Sequence, residues 1–129
     1  MKRVAVDSSS LIAYFSGDKG EDTRLIREAI ALSLVYMPPA ALTEMLSARR
    51  QAPGLLADLK RFPRLPIKPG FWERAGLLRS KVLVQGCKAR LGDTLIAQSC
   101  IDHDVPLITR DTDFKHFVTH GGLKLALEI

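Results

Sequence analysis

The sequence predicts one α/β domain over residues 1–129, with a mostly parallel central sheet of about four to five strands flanked by helices. Three observations point there. Short Val-, Ile- and Leu-rich runs alternate with segments of helical periodicity along the whole chain. A chain of 129 residues suits one domain with one core, and its 47% hydrophobic and 26% charged composition is ordinary for a globular protein. No internal repeat, low-complexity tract or linker interrupts the alternation.

Lys2 to Asp7 alternates and is rich in Val, so it reads as a first strand. Ser8-Ser9-Ser10 supplies N-cap candidates for a short helix over Leu11–Phe15. After the loop Gly17–Gly20, Asp22 or Thr23 can cap a second helix whose apolar side holds Leu25, Ile26, Ala29 and Ile30. Leu34–Met37 is a short buried strand. Pro38-Pro39 stops it and opens a helix carrying Glu44. Ala52-Pro53-Gly54 breaks the chain before a short helix over Leu55–Phe62. Leu65-Pro66-Ile67 fits only a short or edge strand. Pro69 to Gln85 fits a long helix, with Trp72 and Phe71 read as core. Gly86–Leu91 is a loop. Gly92-Asp93 starts the next helix, which runs through Ile101 to a turn at His103-Asp104. Val105–Thr109 is a strand, Asp111–Phe117 a short helical segment, and Leu123–Leu127 a last strand.

Four carboxylates, Asp7, Glu44, Asp93 and Asp111, each stand at the edge of an apolar run. A charge beside the core is costly unless something compensates it. In open parallel α/β sheets, functional groups gather beyond the carboxyl ends of the strands. Asp7 ends the first strand, Asp111 lies just past the Val105–Thr109 strand, and Asp93 opens a helix that can face the same rim. Glu44 sits in an Ala/Leu/Met helix with no comparable reason to be there. Converged carboxylates stay ionised together only if a cation compensates them; otherwise one takes up a proton. Oxygen-only ligands suit Mg²⁺ or Mn²⁺ rather than Zn²⁺. Such an ion can activate a water and offset charge on a phosphodiester. Each acid also has a plainer role open to it: Asp7 and Asp111 as caps, Asp93 at the positive end of its helix.

The net charge of +5 is unevenly placed. Residues 49–90 hold eleven Lys/Arg against Asp58 and Glu73, while the remainder is net acidic. Clustered positive charge suits a polyanion such as nucleic acid, and it equally suits solvated helix faces. No apolar run approaches the roughly 20 residues that span a bilayer, and Asp7 with the serines interrupts any signal-like start. The expectation is a cytoplasmic protein with no membrane partner, whose Cys87 and Cys100 are free thiols. His116 and His120 lack the companion ligands of a zinc site.

Asp7-Ser8-Ser9-Ser10-Leu11-Ile12, Thr43-Glu44, Gly92-Asp93-Thr94-Leu95-Ile96-Ala97 and Leu107-Ile108-Thr109-Arg110-Asp111-Thr112-Asp113-Phe114 together resemble a PIN domain, most closely the small VapC-type toxins of toxin–antitoxin systems. The resemblance covers essentially the whole chain. It implies a PIN-like nuclease domain in which Asp7, Glu44, Asp93 and Asp111 hold one or two Mg²⁺ or Mn²⁺ ions. It implies supporting roles for Thr109, which would orient a carboxylate or water, for Asp113, and for Ser9 at a small polar position. Ser10 departs from a usually small or apolar position. The implied activity is endoribonuclease hydrolysis, in which an activated water attacks phosphorus in line and leaves 5′-phosphate and 3′-hydroxyl ends. The resemblance also implies a cognate antitoxin and a homodimer. Leu55–Leu59 and the helix at Leu42–Leu46 would flank a groove for an antitoxin helix, unless they simply pack in the core. The bases nearest the acids, Arg90, Arg110 and Lys88, are the expected RNA contacts, with Arg79 and Lys81 read as surface. Two other classes stay open. A phosphoacceptor domain also gathers acids around Mg²⁺, but it wants paired acids after the first strand, where this chain has serines. The other is a catalytically silent RNA-binding or scaffold domain.

Overall fold

The computed structural model describes residues 1–129. Val4–Val6 (β1) is the central strand of a three-stranded parallel sheet, between Val35–Tyr36 (β2) and Leu107–Ile108 (β3), in the order β2-β1-β3. Val4 lies opposite Val35, and Val6 opposite Ile108. Successive strand residues face opposite sides of a sheet. Val4, Ala5 and Val6 are all buried, so both faces are covered, the usual state of a parallel sheet.

The sheet is narrower than the four to five strands expected. The two missing strands are single bridges, Met37 to Arg64 and Leu107 to Leu125. Met37 N–H donates to Pro63 and Leu65 N–H donates back to Met37. Pro39, whose N–H would make the next rung, has none and already starts the following helix. On the other edge, β3 ends at Ile108, so the last segment has only Leu107 to pair with: Leu107 N–H donates to Lys124, and Ala126 N–H donates to Leu107.

Seven α-helices surround the sheet. Ser8–Phe15 (α1) begins earlier than expected, because the Asp7 side chain accepts the Ser10 N–H at 3.1 Å and draws the serines into the first turn. Glu21–Ala31 (α2) has Glu21 and Asp22 at its positive end. Pro39–Leu46 (α3) starts on a proline, where the absent N–H costs nothing. Leu55–Lys60 (α4) and Phe71–Val84 (α5) each follow a glycine, Gly54 and Gly70, whose φ of 80° and 81° would strain another residue. Leu91–His103 (α6) includes the expected turn residue His103, whose Nε2 lies 2.7 Å from the Pro66 carbonyl. A 3₁₀ turn, Thr112–Phe114, leads into Lys115–Gly121 (α7).

One core joins these layers, with Leu11, Ile26, Leu65, Ile96, Phe114 and Phe117 fully buried around the sheet. Phe71 belongs to the buried set, but Trp72 does not: it is 62% exposed, because its neighbour on the helix takes the inward position. Cys87 and Cys100 are free, and no helix is long and apolar enough to cross a membrane.

Leu65 carries a test of this packing. Although its segment is too short for a strand, it is fully buried. Leu65→Ala is expected to cost about 2–5 kcal/mol, seen as a lower urea midpoint with an unchanged m-value. Leu56→Ala, at an exposed position of α4, should change stability by no more than ~0.5 kcal/mol.

Candidate metal centre

The carboxyl edge of the sheet is built by β1 and β3 ending side by side. Asp7 N–H donates to the Ile108 carbonyl at 3.3 Å, which sets Asp7 beside Thr109. Thr109 Oγ1 donates to Asp7 Oδ2 at 2.7 Å and accepts the Asp111 N–H at 3.0 Å. One hydroxyl thereby links the acid after β1 to the acid after β3. Ser9, in the first turn of α1, places its Oγ 2.8 and 2.9 Å from the two Asp7 oxygens and accepts the Arg110 N–H at 3.0 Å. Asp111 also caps the 3₁₀ turn, accepting the Asp113 N–H at 2.9 Å. Asp7 and Asp111 are thus caps and rim acids at once.

Glu44 and Asp93 arrive from the helices. α3 packs on α6, and a Cβ at position 92 would stand only 3.2 Å from Glu44 Oε2. Gly92 therefore lets the Glu44 carboxylate lie against the first turn of α6, next to Asp93. The sequence marked this glycine only as a helix start.

The four charges act on one another. Asp93 is pushed up to about 6, first by burial, then by the charges of Asp111 and Glu44. Burial raises the Asp7 carboxyl, and the hydrogen bonds from Thr109, Ser10 and Ser9 only partly offset that. Glu44 is an exposed residue, yet its carboxyl is raised by partial desolvation and then by the charge of Asp7. This is the electrostatic signature of acids sharing a site.

The donor set fits a hard divalent cation. No three acidic, His or Cys side chains stand close enough to enclose an ion by themselves. Mg²⁺ does not need such a cage, since it keeps several waters and takes one or two carboxylates directly. Asp7 receives four contacts from Ser9, Ser10 and Thr109, two on each oxygen, which fix the orientation of its carboxylate. One or two of the rim acids Asp7, Glu44, Asp93 and Asp111, completed by water, would suffice for such an ion, with Asp113 at the margin.

The neighbouring bases divide. Arg90 is exposed at the start of α6 and close enough to pull on both Glu44 and Asp93. Lys88 is exposed, 3.7 Å from Asp113. Arg110 does not offer a free guanidinium: Nε and Nη2 grip Asp22 at 2.6 and 3.1 Å. Arg79 donates to the Ala89 carbonyl at 2.8 Å and braces the loop before α6. The role of Asp22 left no trace in the sequence beyond a possible helix cap.

An α/β fold with an acidic rim at the carboxyl edge of a parallel sheet defines the class of protein, and the family follows. The chain belongs to the PIN domain family, whose model matches residues 4–118. Among solved structures, it is similar to a toxin–antitoxin complex from Klebsiella pneumoniae, at 26% identity over 98% of this chain and 99% of that one, with a TM-score of 0.65. It shares the fold of VapBC2 from Rickettsia felis, solved bound to a DNA fragment from the promoter of its genes, at 16% identity and a TM-score of 0.74 over 95% and 96% of the two chains. It also shares the fold of DNA-bound VapBC from Salmonella typhimurium, at 19% identity and a TM-score of 0.70 over 97% of each chain. No curated protein sequence matches it.

Asp93 gives a pH test. Its carboxyl titrates near 6 in the folded protein, against a reference of 3.8. Between those values the folded chain holds a proton that the unfolded chain has released, so this group's contribution to stability falls as pH rises through that window. Asp93→Asn removes the penalty. In EDTA near pH 7.5 it should stabilise the protein by ~1–3 kcal/mol, and near pH 4.5 by clearly less. Chemical denaturation at the two pH values checks this; an equal gain at both would contradict it.

Proposed function

We propose that the protein is a Mg²⁺- or Mn²⁺-dependent endoribonuclease that hydrolyses RNA phosphodiester bonds, and that it is the toxin of a type II toxin–antitoxin pair. One observation carries the nuclease reading: acids from β1, α3, α6 and the segment after β3 gather at one edge of the sheet, Asp7 and Asp111 joined through Thr109, and Glu44 lying against Gly92 beside Asp93. Membership of the PIN domain family and a likeness to toxin–antitoxin complexes support the toxin reading.

When bound, the ion would activate a water and offset charge on the phosphodiester. The chain's own residues prepare for it. Ser9 and Thr109 fix the Asp7 carboxylate from two sides. Asp93, raised by burial and by neighbouring charge, would hold the ion as a carboxylate, so its binding would depend on pH. Lys88 and Arg90, exposed beside the acids, are the bases that would meet the RNA backbone. Arg110 meets Asp22 instead and is not assigned to RNA.

The partners are proposals too. The antitoxin groove expected between α3 and α4 is filled by their own leucines: Leu59 is buried, and Leu42, Leu46 and Leu55 pack on the core. A groove of about 510 Å³ lies instead between α4 and the α1–α2 pair, lined by Tyr14, Phe15, Ile30, Val35 and Phe62. That groove is assigned to the antitoxin. Trp72, Leu77, Val84 and Leu91 form the most exposed apolar set and are assigned to a homodimer contact. An RNA substrate places the activity in the cytoplasm.

The test uses purified protein and single-stranded RNA with Mn²⁺, with Mg²⁺, and with EDTA. Cleavage should need the metal, and Asp7→Asn and Asp93→Asn should each abolish it in protein that still folds. Cleavage in EDTA, or activity retained in both variants, would refute the mechanism. RNA binding without cleavage would favour the silent RNA-binding alternative. Arg90→Ala should weaken binding and lower the salt dependence of log K by ~0.7 per lost phosphate contact. An unchanged slope would remove Arg90 from the interface.

A further inference from the structure

Behind the acids lies a second layer of polar contacts. Asp22, in the first turn of α2, is mostly shielded and held by three groups. Arg110 Nε donates to its Oδ2 at 2.6 Å and Arg110 Nη2 to its Oδ1 at 3.1 Å, while Ser10 Oγ donates to Oδ2 at 3.3 Å. The carboxylate folds over Gly20, where a Cβ would stand 2.7 Å from Oδ1, so a larger residue there would displace it. Asp18 adds a longer contact to Arg110 Nη1 at 3.4 Å. A forked guanidinium–carboxylate pair is directional as well as strong, and it draws Asp22 below its usual range. The guanidinium is thereby anchored to α2, and its own backbone N–H donates to Ser9 Oγ at 3.0 Å. Ser9 Oγ in turn lies against both Asp7 oxygens, and Ser10 N–H donates to Asp7 Oδ1. Both residues that hold Asp7 from α1 are therefore tied to the Asp22–Arg110 pair, Ser9 through the Arg110 backbone and Ser10 through its hydroxyl.

We propose that Asp22 and Arg110 are a positioning pair for the metal centre: their ion pair clamps the segment after β3 to α2, and so fixes the Ser9 and Ser10 donors that orient the Asp7 carboxylate. This rests on the metal reading of the rim acids and assigns Arg110 a task different from RNA contact. Neither residue touches substrate or ion. Outer-layer partners of this sort hold ligands in the geometry that an ion requires, and their loss weakens affinity by about 10–100-fold in known metal sites.

Two readouts on the full chain test it. The first, without metal, is amide hydrogen exchange at Arg110, with Ala5 in β1 as the reference for general loosening. Asp22→Asn should speed Arg110 exchange about tenfold, the loss expected for one charge-assisted contact, and leave Ala5 unchanged. The second is Mn²⁺ affinity by electron paramagnetic resonance, expected to fall roughly tenfold in Asp22→Asn. Arg110→Lys keeps the charge but not the fork and should reproduce both effects, whereas Asp22→Glu should restore most of each. Unchanged Arg110 exchange in Asp22→Asn and Arg110→Lys would overturn the proposal, as would faster exchange with Mn²⁺ affinity intact. If the wild-type chain binds no Mn²⁺, the metal reading itself fails. That case is recognisable because Arg110 exchange still responds to Asp22→Asn.

Discussion

Like charge concentrated at the edge of a small buried sheet is the constraint on which the rest of the structure turns. β1 is covered on both faces, so an aspartate at its end cannot escape into solvent, and Asp7 is 3% exposed. Asp93 is nearly as buried. Leaving such groups ionised is expensive without compensation. The chain supplies part of it through hydroxyl and amide donors to Asp7. Asp93 stays raised to about 6. A divalent cation would supply the remainder, and the same electrostatic tension that disfavours the bare site favours uptake of that ion.

Economy of residues is the other theme of the rim. Asp7 caps α1 and Asp111 caps the 3₁₀ turn, so each helps to start the element that aims its neighbours. Thr109 uses one hydroxyl as donor to Asp7 and as acceptor from Asp111. Ser9 does the same between Asp7 and Arg110. The plain role of a cap and the role of a ligand are therefore not rivals here. A cap fixes a carboxylate in orientation, and a fixed carboxylate is a better ligand than a free one.

Much of this was legible in the sequence, for identifiable reasons. Strand–helix alternation follows from local periodicity, and the places of Asp7, Asp93 and Asp111 follow from strand and helix ends. Glu44 was visible chiefly through the family resemblance; its physical explanation, the space above Gly92, needs the packing of α3 on α6. Sheet width was overestimated because apolar content does not reveal that the ladder ends after one bridge, where Pro39 lacks the next donor and turns into α3. Trp72 was misplaced because adjacent aromatics on a helix cannot both face inward, and the sequence did not say which would. The groove expected between α3 and α4 is filled because α4 places Leu55 and Leu59 on the core. Asp22 and Arg110 were unreadable as a pair, being 88 residues apart with no periodicity linking them.

The four rim acids would form one cation site, in which the ion supplies the charge compensation that a proton gives Asp93. Calorimetric titration of Mn²⁺ near pH 6, repeated in buffers of different ionisation enthalpy, measures that exchange directly. Binding should release protons, ~0.5 per ion of them from Asp93, which is about half protonated there and would ionise to bind. Asp93→Asn should lower the release to what the raised Asp7 and Glu44 carboxyls contribute, and remove most of the affinity. Binding with no proton released, or release undiminished in Asp93→Asn, would contradict the account.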